Sequence, residues 1–195
     1  MKLKLTLYFY VILLFSCSEK KETYFYPSRT KIDQLKNRDT IFLENSNSLD
    51  ELIQVLRKNE WENGKQPILP IKRNSTTYYL TPLEFENKCL LPSRIKRRNI
   101  LMISIDSIMK NEIVFPTSKL DSLLRKDLLN NDIEKDFAEN HKKLVISFLD
   151  KPQNINDVKQ SLIRLFNSFN EINNRDTLEL NISMNKTFMP PPIPE

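Results

Sequence analysis

The sequence contains very little glycine, alanine or histidine, and these shortages exclude several kinds of site. Gly64 is the single glycine and Ala138 the single alanine among 195 residues. A P-loop needs two glycines in a short stretch and a dinucleotide-binding turn needs three, so this chain can build neither. One histidine and two cysteines are also too few for a Cys/His zinc finger or a three-histidine catalytic zinc site.

The overall composition is that of a folded domain, and its charges are mixed. Hydrophobic residues make up 39% of the chain and charged residues 28%, which permits a packed core. The formal net charge is +5, from 30 basic and 25 acidic residues that are interspersed. Residues 94–98 form a dense basic run, which is typical of a solvated turn. A domain that binds nucleic acid usually shows a basic stripe on one face. We therefore expect no nucleic-acid partner.

The N-terminus has the three parts of a secretion signal. A charged start precedes an apolar run over residues 5–15, which is shorter than the about 20 residues of a membrane-spanning helix. The run ends in Leu14-Phe15-Ser16-Cys17, which resembles the lipobox of bacterial lipoproteins, although Phe15 departs from the commonest pattern. The resemblance implies a signal peptide over residues 1–16 and lipidation of Cys17. A plain secretory signal is the alternative.

Lipidation of Cys17 would have consequences for location and for disulfide chemistry. Acyl chains contribute about 0.8 kcal/mol per buried CH₂, so two or three chains anchor a protein to a membrane without a spanning helix. Ser18 follows the cysteine, and by resemblance to the enterobacterial sorting rule this implies the outer membrane. Cys89 would then be the lone free cysteine, so we expect no disulfide within the mature chain.

The spacing of apolar residues predicts an α+β fold. Helical spacing predicts helices over residues 48–59, 117–129 and 156–173. Strands are predicted at residues 40–43, 68–71, 76–80, 100–105, 113–115, 144–149 and 178–182. We expect a mixed β-sheet with amphipathic helices packed on one face. Pro67 and Pro70 predict that the strand over 68–71 lies at an edge.

The predicted elements divide the chain after the signal peptide into three parts. Residues 17–38 are expected to form a lipidated tether, residues 39–184 an α+β globular domain, and residues 185–195 a proline-rich tail. The two halves of the domain can also be interpreted as weak repeats, because each begins with a strand and a capped, leucine-rich helix.

Residues 99–182 resemble the periplasmic domain of ExbD/TolR-type biopolymer transport proteins. The similarity lies in the order strand, strand, helix, strand, helix, strand, with a strand ending at Asp150 before a polar turn and a long helix. It implies a binding fold in the periplasm. Members of that family carry an acidic residue in a transmembrane helix as part of a proton path, and the sequence predicts no such helix, so no motor function is implied.

Four Asp-Ser/Thr-aliphatic motifs resemble the O-glycosylation sequon of secreted Bacteroidota proteins. Their hydroxyl residues are Thr40, Ser107, Ser122 and Thr177. The alternative interpretation is structural, because Asp-Ser and Asp-Thr pairs also favour helix caps and strand starts.

The role expected from these features is that of a lipid-anchored cell-envelope protein acting as a non-catalytic binding or assembly module. We predict no catalytic residue, metal site or cofactor. Trp61, Tyr78 and Tyr79 are candidate contacts for an envelope protein or glycan, and an open sheet edge would allow a partner to add a strand. The alternatives are a periplasmic accessory protein related to ExbD/TolR transport and an envelope hydrolase.

Overall fold

The computed structural model describes residues 21–83, 95–148, 154–173 and 177–184. Within these ranges there are four α-helices and nine β-strands. The helices are α1 (Arg29–Gln34), α2 (Leu49–Asn63), α3 (Leu120–Leu129) and α4 (Ile155–Ile172). The strands are β1 (Glu22–Tyr26), β2 (Arg38–Thr40), β3 (Gln66–Arg73), β4 (Thr76–Leu80), β5 (Ile100–Ile103), β6 (Ser107–Lys110), β7 (Ile113–Pro116), β8 (Val145–Phe148) and β9 (Asn181–Ile182).

The predicted α+β class is confirmed, with the strands divided between two mixed sheets. The first sheet has the order β1-β4-β3-β2 and the second the order β7-β6-β5-β8-β9. None of the helices in the described ranges has both the length and the hydropathy to cross a bilayer. The predicted signal peptide, Cys17, Cys89 and the proline-rich tail lie outside the described residues.

Helix α2 shows how local sequence sets the limits of an element. The Ser48 hydroxyl accepts a hydrogen bond from the Glu51 amide at 3.3 Å, and Glu51 Oε2 accepts from the Asn47 amide at 2.7 Å. Ser48 caps the helix as the sequence predicts, and Glu51 reaches back one residue further than in a standard capping box, to the amide of Asn47 instead of that of Ser48. The helix continues past residue 59 to Asn63 and stops where Gly64 adopts a left-handed conformation with φ +60°. Glycine favours this conformation because it has no Cβ.

Strand β3 lies inside the first sheet, so the prediction of an edge strand is wrong. It pairs in parallel with β2 and antiparallel with β4. Strand β2 is only three residues long, and its last partner in β3 is Ile68. Pro70 lies beyond that partner, so its missing N–H interrupts no bond to β2.

The predicted tether needs a correction, because its residues from Glu22 onward belong to the globular fold. Strand β1 pairs in parallel with β4 along its whole length. Tyr26 is only 2% exposed, and its ring stacks on Phe166 of α4 with centroids 4.3 Å apart. The alternating tyrosines of β1 supply apolar surface that outweighs the polar residues around them.

The second sheet contains a strand that the sequence analysis missed. The sequence predicts one strand over residues 100–105, but strand β5 ends at Ile103. A turn over residues 104–106 then leads into β6. The Ser104 hydroxyl donates to Asp106 Oδ1 at 2.5 Å, and the Ser104 amide donates to the Ser107 carbonyl at 2.8 Å. These polar groups reverse the chain before the predicted strand is complete, so the hairpin partner of β7 is β6.

Two further boundaries differ from the predictions. Residues Thr117–Lys119 form a 3₁₀ turn, and α3 begins after them without a side-chain cap, so neither Thr117 nor Ser118 caps the helix. Strand β9 contains two residues, whereas residues 178–182 were predicted. Only Val145 and Ile146 of β8 have register partners in β9.

Helix α4 joins the two sheets into one core. Nine of its 18 residues are buried, and its Phe166 and Phe169 pack against Tyr26 of the first sheet. Ser168 donates to Asp121 of α3, and Arg164 donates to the carbonyl of Ile105 in the β5–β6 turn at 3.3 Å. A single cluster of buried side chains includes members of both sheets.

Candidate functional site

Two adjoining clefts form a groove along β1. One has a volume of about 410 Å³ and lies between β1 and the C-terminal end of α4. The other has a volume of about 450 Å³ and lies between the start of β1, the β3–β4 hairpin and α4. Tyr24 and Asn170 line both clefts. We call the two clefts together the β1 groove, and the residues that define it are Thr23, Tyr24, Arg73, Asn167, Asn170 and Leu178.

The first sheet supplies one wall of the groove through side chains that share a face. Tyr24 and Tyr78 are register partners in β1 and β4, and their rings stack with centroids 5.7 Å apart. Residues two apart in a strand point to the same face, so Tyr26 joins them over α4. Its ring and that of Tyr78 both stack on Phe166. The wall is therefore anchored in the core.

Two asparagines of α4 are held in fixed orientations by this wall. Asn167 Oδ1 accepts from the Tyr78 hydroxyl at 3.0 Å, and Asn170 Oδ1 accepts from the Tyr26 hydroxyl at 2.7 Å. The two residues are three apart, so they lie on one face of the helix. The oxygen and the NH₂ group of a carboxamide lie on opposite sides. Each NH₂ group is therefore turned away from its tyrosine, and each side chain is half-buried beside the groove.

Burial keeps the hydroxyl of Tyr78 protonated and able to donate. Removal from water raises the pKa of Tyr78, and the charge of Glu22 adds to this effect while that of Arg73 opposes it. A phenol with a raised pKa remains a donor at neutral pH. The Tyr78 hydroxyl therefore holds Asn167 in the same orientation over the physiological range.

The outer edge of β1 exposes main-chain groups next to the groove. The Glu22 amide donates to the Ser75 carbonyl at 3.3 Å, and the Thr81 amide donates to the Tyr26 carbonyl at 2.9 Å. Residues 22, 24 and 26 therefore bond toward β4, and the N–H and C=O groups of Thr23 and Phe25 point the other way. In the described part of the chain, no strand pairs with this edge.

The predicted contact residues are divided between different places. Tyr78 is 3% exposed, so its ring belongs to the core and only its hydroxyl side reaches the groove. Tyr79 lies on the opposite face of the sheet, where its ring stacks on Phe25 with centroids 5.4 Å apart. Trp61 belongs to α2, and its side chain lies outside the described atoms. Tyr78 and Tyr79 therefore do not share a surface.

The predicted glycosylation residues also differ in accessibility. Thr40, Ser122 and Thr177 are exposed. Ser107 is only 9% exposed, and its hydroxyl donates to Asp106 Oδ1 at 2.8 Å and lies 3.0 Å from that of Ser104. A glycan on Ser107 would require this turn to open, so the structural interpretation of the motif applies at this position.

A buried ion pair is the strongest polar feature that sequence reasoning missed. Lys110 Nζ donates to Asp127 Oδ1 at 2.6 Å and to the carbonyl of Arg98 at 2.5 Å. The Ala138 amide donates to the same Asp127 oxygen at 2.8 Å. Burial lowers the pKa of Lys110 and raises that of Asp127, and the attraction between the two charges opposes both shifts. The pair joins β6 to α3 away from the groove, so we assign it a structural role.

Glu139 is the centre of a second polar cluster. Its carboxylate accepts from Lys96, Arg98 and Lys143 and is 8% exposed. Hydrogen bonds from these cations, with Lys143 contributing most, hold the pKa of Glu139 far below its usual range. All three cations are engaged with the carboxylate, so the cluster connects chain segments. Within the described ranges, no group of three or more His, Cys, Asp or Glu side chains is placed to hold a metal ion.

Comparison with known proteins places the chain in no family. No family model, no curated protein and no solved structure matches it. The resemblances to bacterial lipoproteins and to the ExbD/TolR periplasmic domain therefore stay predictions from the sequence.

Proposed function

We propose that this protein is a lipid-anchored component of the bacterial cell envelope and that it binds an envelope ligand, without chemical conversion, in the β1 groove. The anchor is supported by the apolar run that ends at Cys17 in a lipobox-like motif. The binding role is carried by one observation, which is that the carboxamides of Asn167 and Asn170 are oriented by tyrosine hydroxyls, with their donor groups turned away from those hydroxyls.

Oriented carboxamides favour binding over catalysis. A carboxamide does not titrate in the physiological range and is a weak nucleophile, so it recognises a ligand through hydrogen bonds and takes no part in proton transfer. Its orientation here is set before a ligand arrives, which lowers the entropic cost of binding. A cleft with a few fixed polar groups beside apolar walls is the usual form of a ligand site.

The anchor is tested by metabolic labelling with a fatty-acid probe. The full chain, a Cys17→Ala variant and a Cys89→Ala control are expressed in a diderm bacterium, and the membranes are fractionated. Label is expected on the wild type and on Cys89→Ala but not on Cys17→Ala, with the labelled protein in the outer membrane. Unlabelled, soluble wild-type protein would remove the lipoprotein proposal.

The groove is tested by site-specific photocrosslinking in the same cells. A photoreactive residue replaces Arg73, which lines the groove, or Lys72, which is exposed on the opposite face of the same strand. Adducts are expected from position 73 and not from position 72, and they should decrease in an Asn167→Asp/Asn170→Asp background. Equal labelling from both positions, or none from either, would contradict a binding role for the groove.

A further inference from the structure

The outer edge of β1, which no strand among the described residues covers, lies beside the β1 groove, and together they define the class of ligand. We propose that the groove takes an extended polypeptide segment, which pairs with the outer edge of β1 and becomes the fifth strand of the first sheet. This inference rests on the proposed binding function and names the class of partner.

The main-chain groups of the edge are the first argument for a polypeptide. Thr23 and Phe25 each present one N–H and one C=O outward. Residues two apart in a strand are separated by about 6.6 Å. Alternating donors and acceptors at that interval match the main chain of another extended polypeptide, which is the basis of strand addition.

The side chains of the groove supply the second argument. The NH₂ groups of Asn167 and Asn170 are donors beside the groove, so they fit oxygen acceptors of a polypeptide that lies there. Phe169 and Leu178 line the cleft beside β1 and offer apolar surface to an inward-pointing side chain. An added strand with alternating apolar and polar residues satisfies both conditions.

The charges at one end of the groove indicate the flanking residue of the partner. Glu22 and Glu171 lie with Arg73 around the cleft at the start of β1. Two carboxylates and one guanidinium leave a negative balance, which a basic residue in the partner complements. We therefore infer an extended segment with alternating apolar residues and a lysine or arginine at that end.

Strand β7 provides an internal comparison within the same molecule. It is an edge strand of the second sheet, and Ile113 pairs with Lys110 next to the hairpin turn, so the main-chain groups of Ile113 bond toward β6. Bonded and non-bonded positions alternate along an antiparallel pair, so the main-chain groups of Val114 point outward. Pro116 has no N–H to offer two residues later. Strand β7 also has no groove with oriented amides beside it among the described residues, so it should not bind the same segment.

The proposal is tested by hydrogen exchange on the full acylated chain in lipid nanodiscs, read at single-residue resolution. The probe is the peptide acetyl-Lys-Val-Thr-Val-Thr-Val-Thr-amide at millimolar concentration. The matched control peptide has every second amide N-methylated, which blocks strand pairing. We expect exchange at the Thr23 and Phe25 amides to slow by about tenfold with the probe, since each gains a main-chain hydrogen bond. No change is expected with the methylated peptide or at Val114.

An isosteric substitution tests the side-chain part of the proposal. Asn170→Asp retains an acceptor for the Tyr26 hydroxyl but removes the NH₂ donor, so peptide affinity should fall by about tenfold. Asn156→Asp makes the same charge change at an exposed position of α4 and should leave affinity unchanged.

The possible outcomes separate strand addition from the more general proposal. Unchanged exchange at Thr23 and Phe25 with the probe peptide, together with protection by chitotriose, would overturn strand addition and leave a saccharide-binding groove. Equal protection by the methylated peptide would also overturn it. If the photocrosslinking at position 73 fails as well, the binding function itself is lost.

Discussion

At the scale of single residues, the buried Lys110–Asp127 pair adds little net free energy of folding, but breaking it by removing one partner is costly. Lys110 is 3% exposed and Asp127 is fully buried, and Asp127 Oδ2 has no hydrogen-bond partner among the described atoms. Removing two charges from water costs about as much free energy as their attraction returns. Removing one partner alone leaves the other charge buried and uncompensated.

The Lys110→Met substitution should therefore lower the free energy of unfolding by about 3–5 kcal/mol. The double variant Lys110→Met/Asp127→Leu should recover most of that loss, because no unpaired charge remains. Urea unfolding of the two variants and the wild type measures both effects. A double variant as unstable as the single one would show that the pair itself is strongly stabilising.

Glu139 makes stability depend on pH in the acid range. Its pKa is depressed in the folded protein by Lys143, Lys96 and Arg98. The cluster therefore contributes stability above the ordinary glutamate pKa of 4.5, and this contribution is lost as the pH falls below it. Glu139→Gln should be less stable than the wild type at pH 7, and the difference should shrink toward pH 3. Denaturant unfolding across this range checks the prediction, and a difference that does not change with pH would contradict it.

At the scale of elements, α2 is the part of the fold that local sequence predicts best. Its N-terminal cap and its glycine stop are both visible in the sequence because each involves residues within five positions of one another. Strand β1 is the opposite case. Its polar neighbours are typical of a tether, and it becomes a strand of the core through its pairing with β4 and its contact with Phe166, both far along the chain.

Loss of the α2 cap should have a measurable and local effect. Ser48→Ala removes the acceptor for the Glu51 amide and should reduce the free energy of unfolding by about 1 kcal/mol. Ser118→Ala, at an exposed position in the 3₁₀ turn before α3, serves as the control and should change stability by less than about 0.5 kcal/mol. Chemical denaturation of both variants and the wild type measures the two changes in the free energy of unfolding. Equal effects at the two positions would mean that the cap contributes nothing specific.

At the scale of the whole molecule, α4 decides whether the two sheets behave as one domain. Phe166 is fully buried and contacts Tyr26 and Tyr78 of the first sheet, while neighbouring residues of the same helix bond to α3 and to the β5–β6 turn. A shared core links the unfolding of all elements that pack in it.

Phe166→Ala should therefore destabilise both sheets together, by about 3–5 kcal/mol. Phe42→Ala is the control, because Phe42 is 45% exposed and its truncation should cost little. Native-state hydrogen exchange should show an equal loss of protection in β3 and in β8. Loss confined to β3 would indicate two independent units, as the interpretation of weak repeats implies.

The candidate site could be predicted only in part. The sequence analysis expected an open sheet edge and chose Trp61, Tyr78 and Tyr79 as contacts, but Tyr78 and Tyr79 point to opposite faces of the sheet. The groove depends on hydrogen bonds between residues 89 and 144 positions apart, and no sequence period marks such pairs. The single available signal was the Asn167 and Asn170 spacing on the polar side of a predicted helix.

The sequence by itself determined the features that depend on neighbouring residues. These are the limits of α2, set by its cap and by Gly64, several strands set by apolar patterns, the α+β class, and the exclusion of glycine-rich phosphate sites. The tertiary structure alone decided that β1 is an edge strand, that β3 is an inner one, and that Lys110 meets Asp127. The physical reason is that caps and turns are closed by local hydrogen bonds, whereas sheet order and buried pairing follow from how distant apolar surfaces pack together.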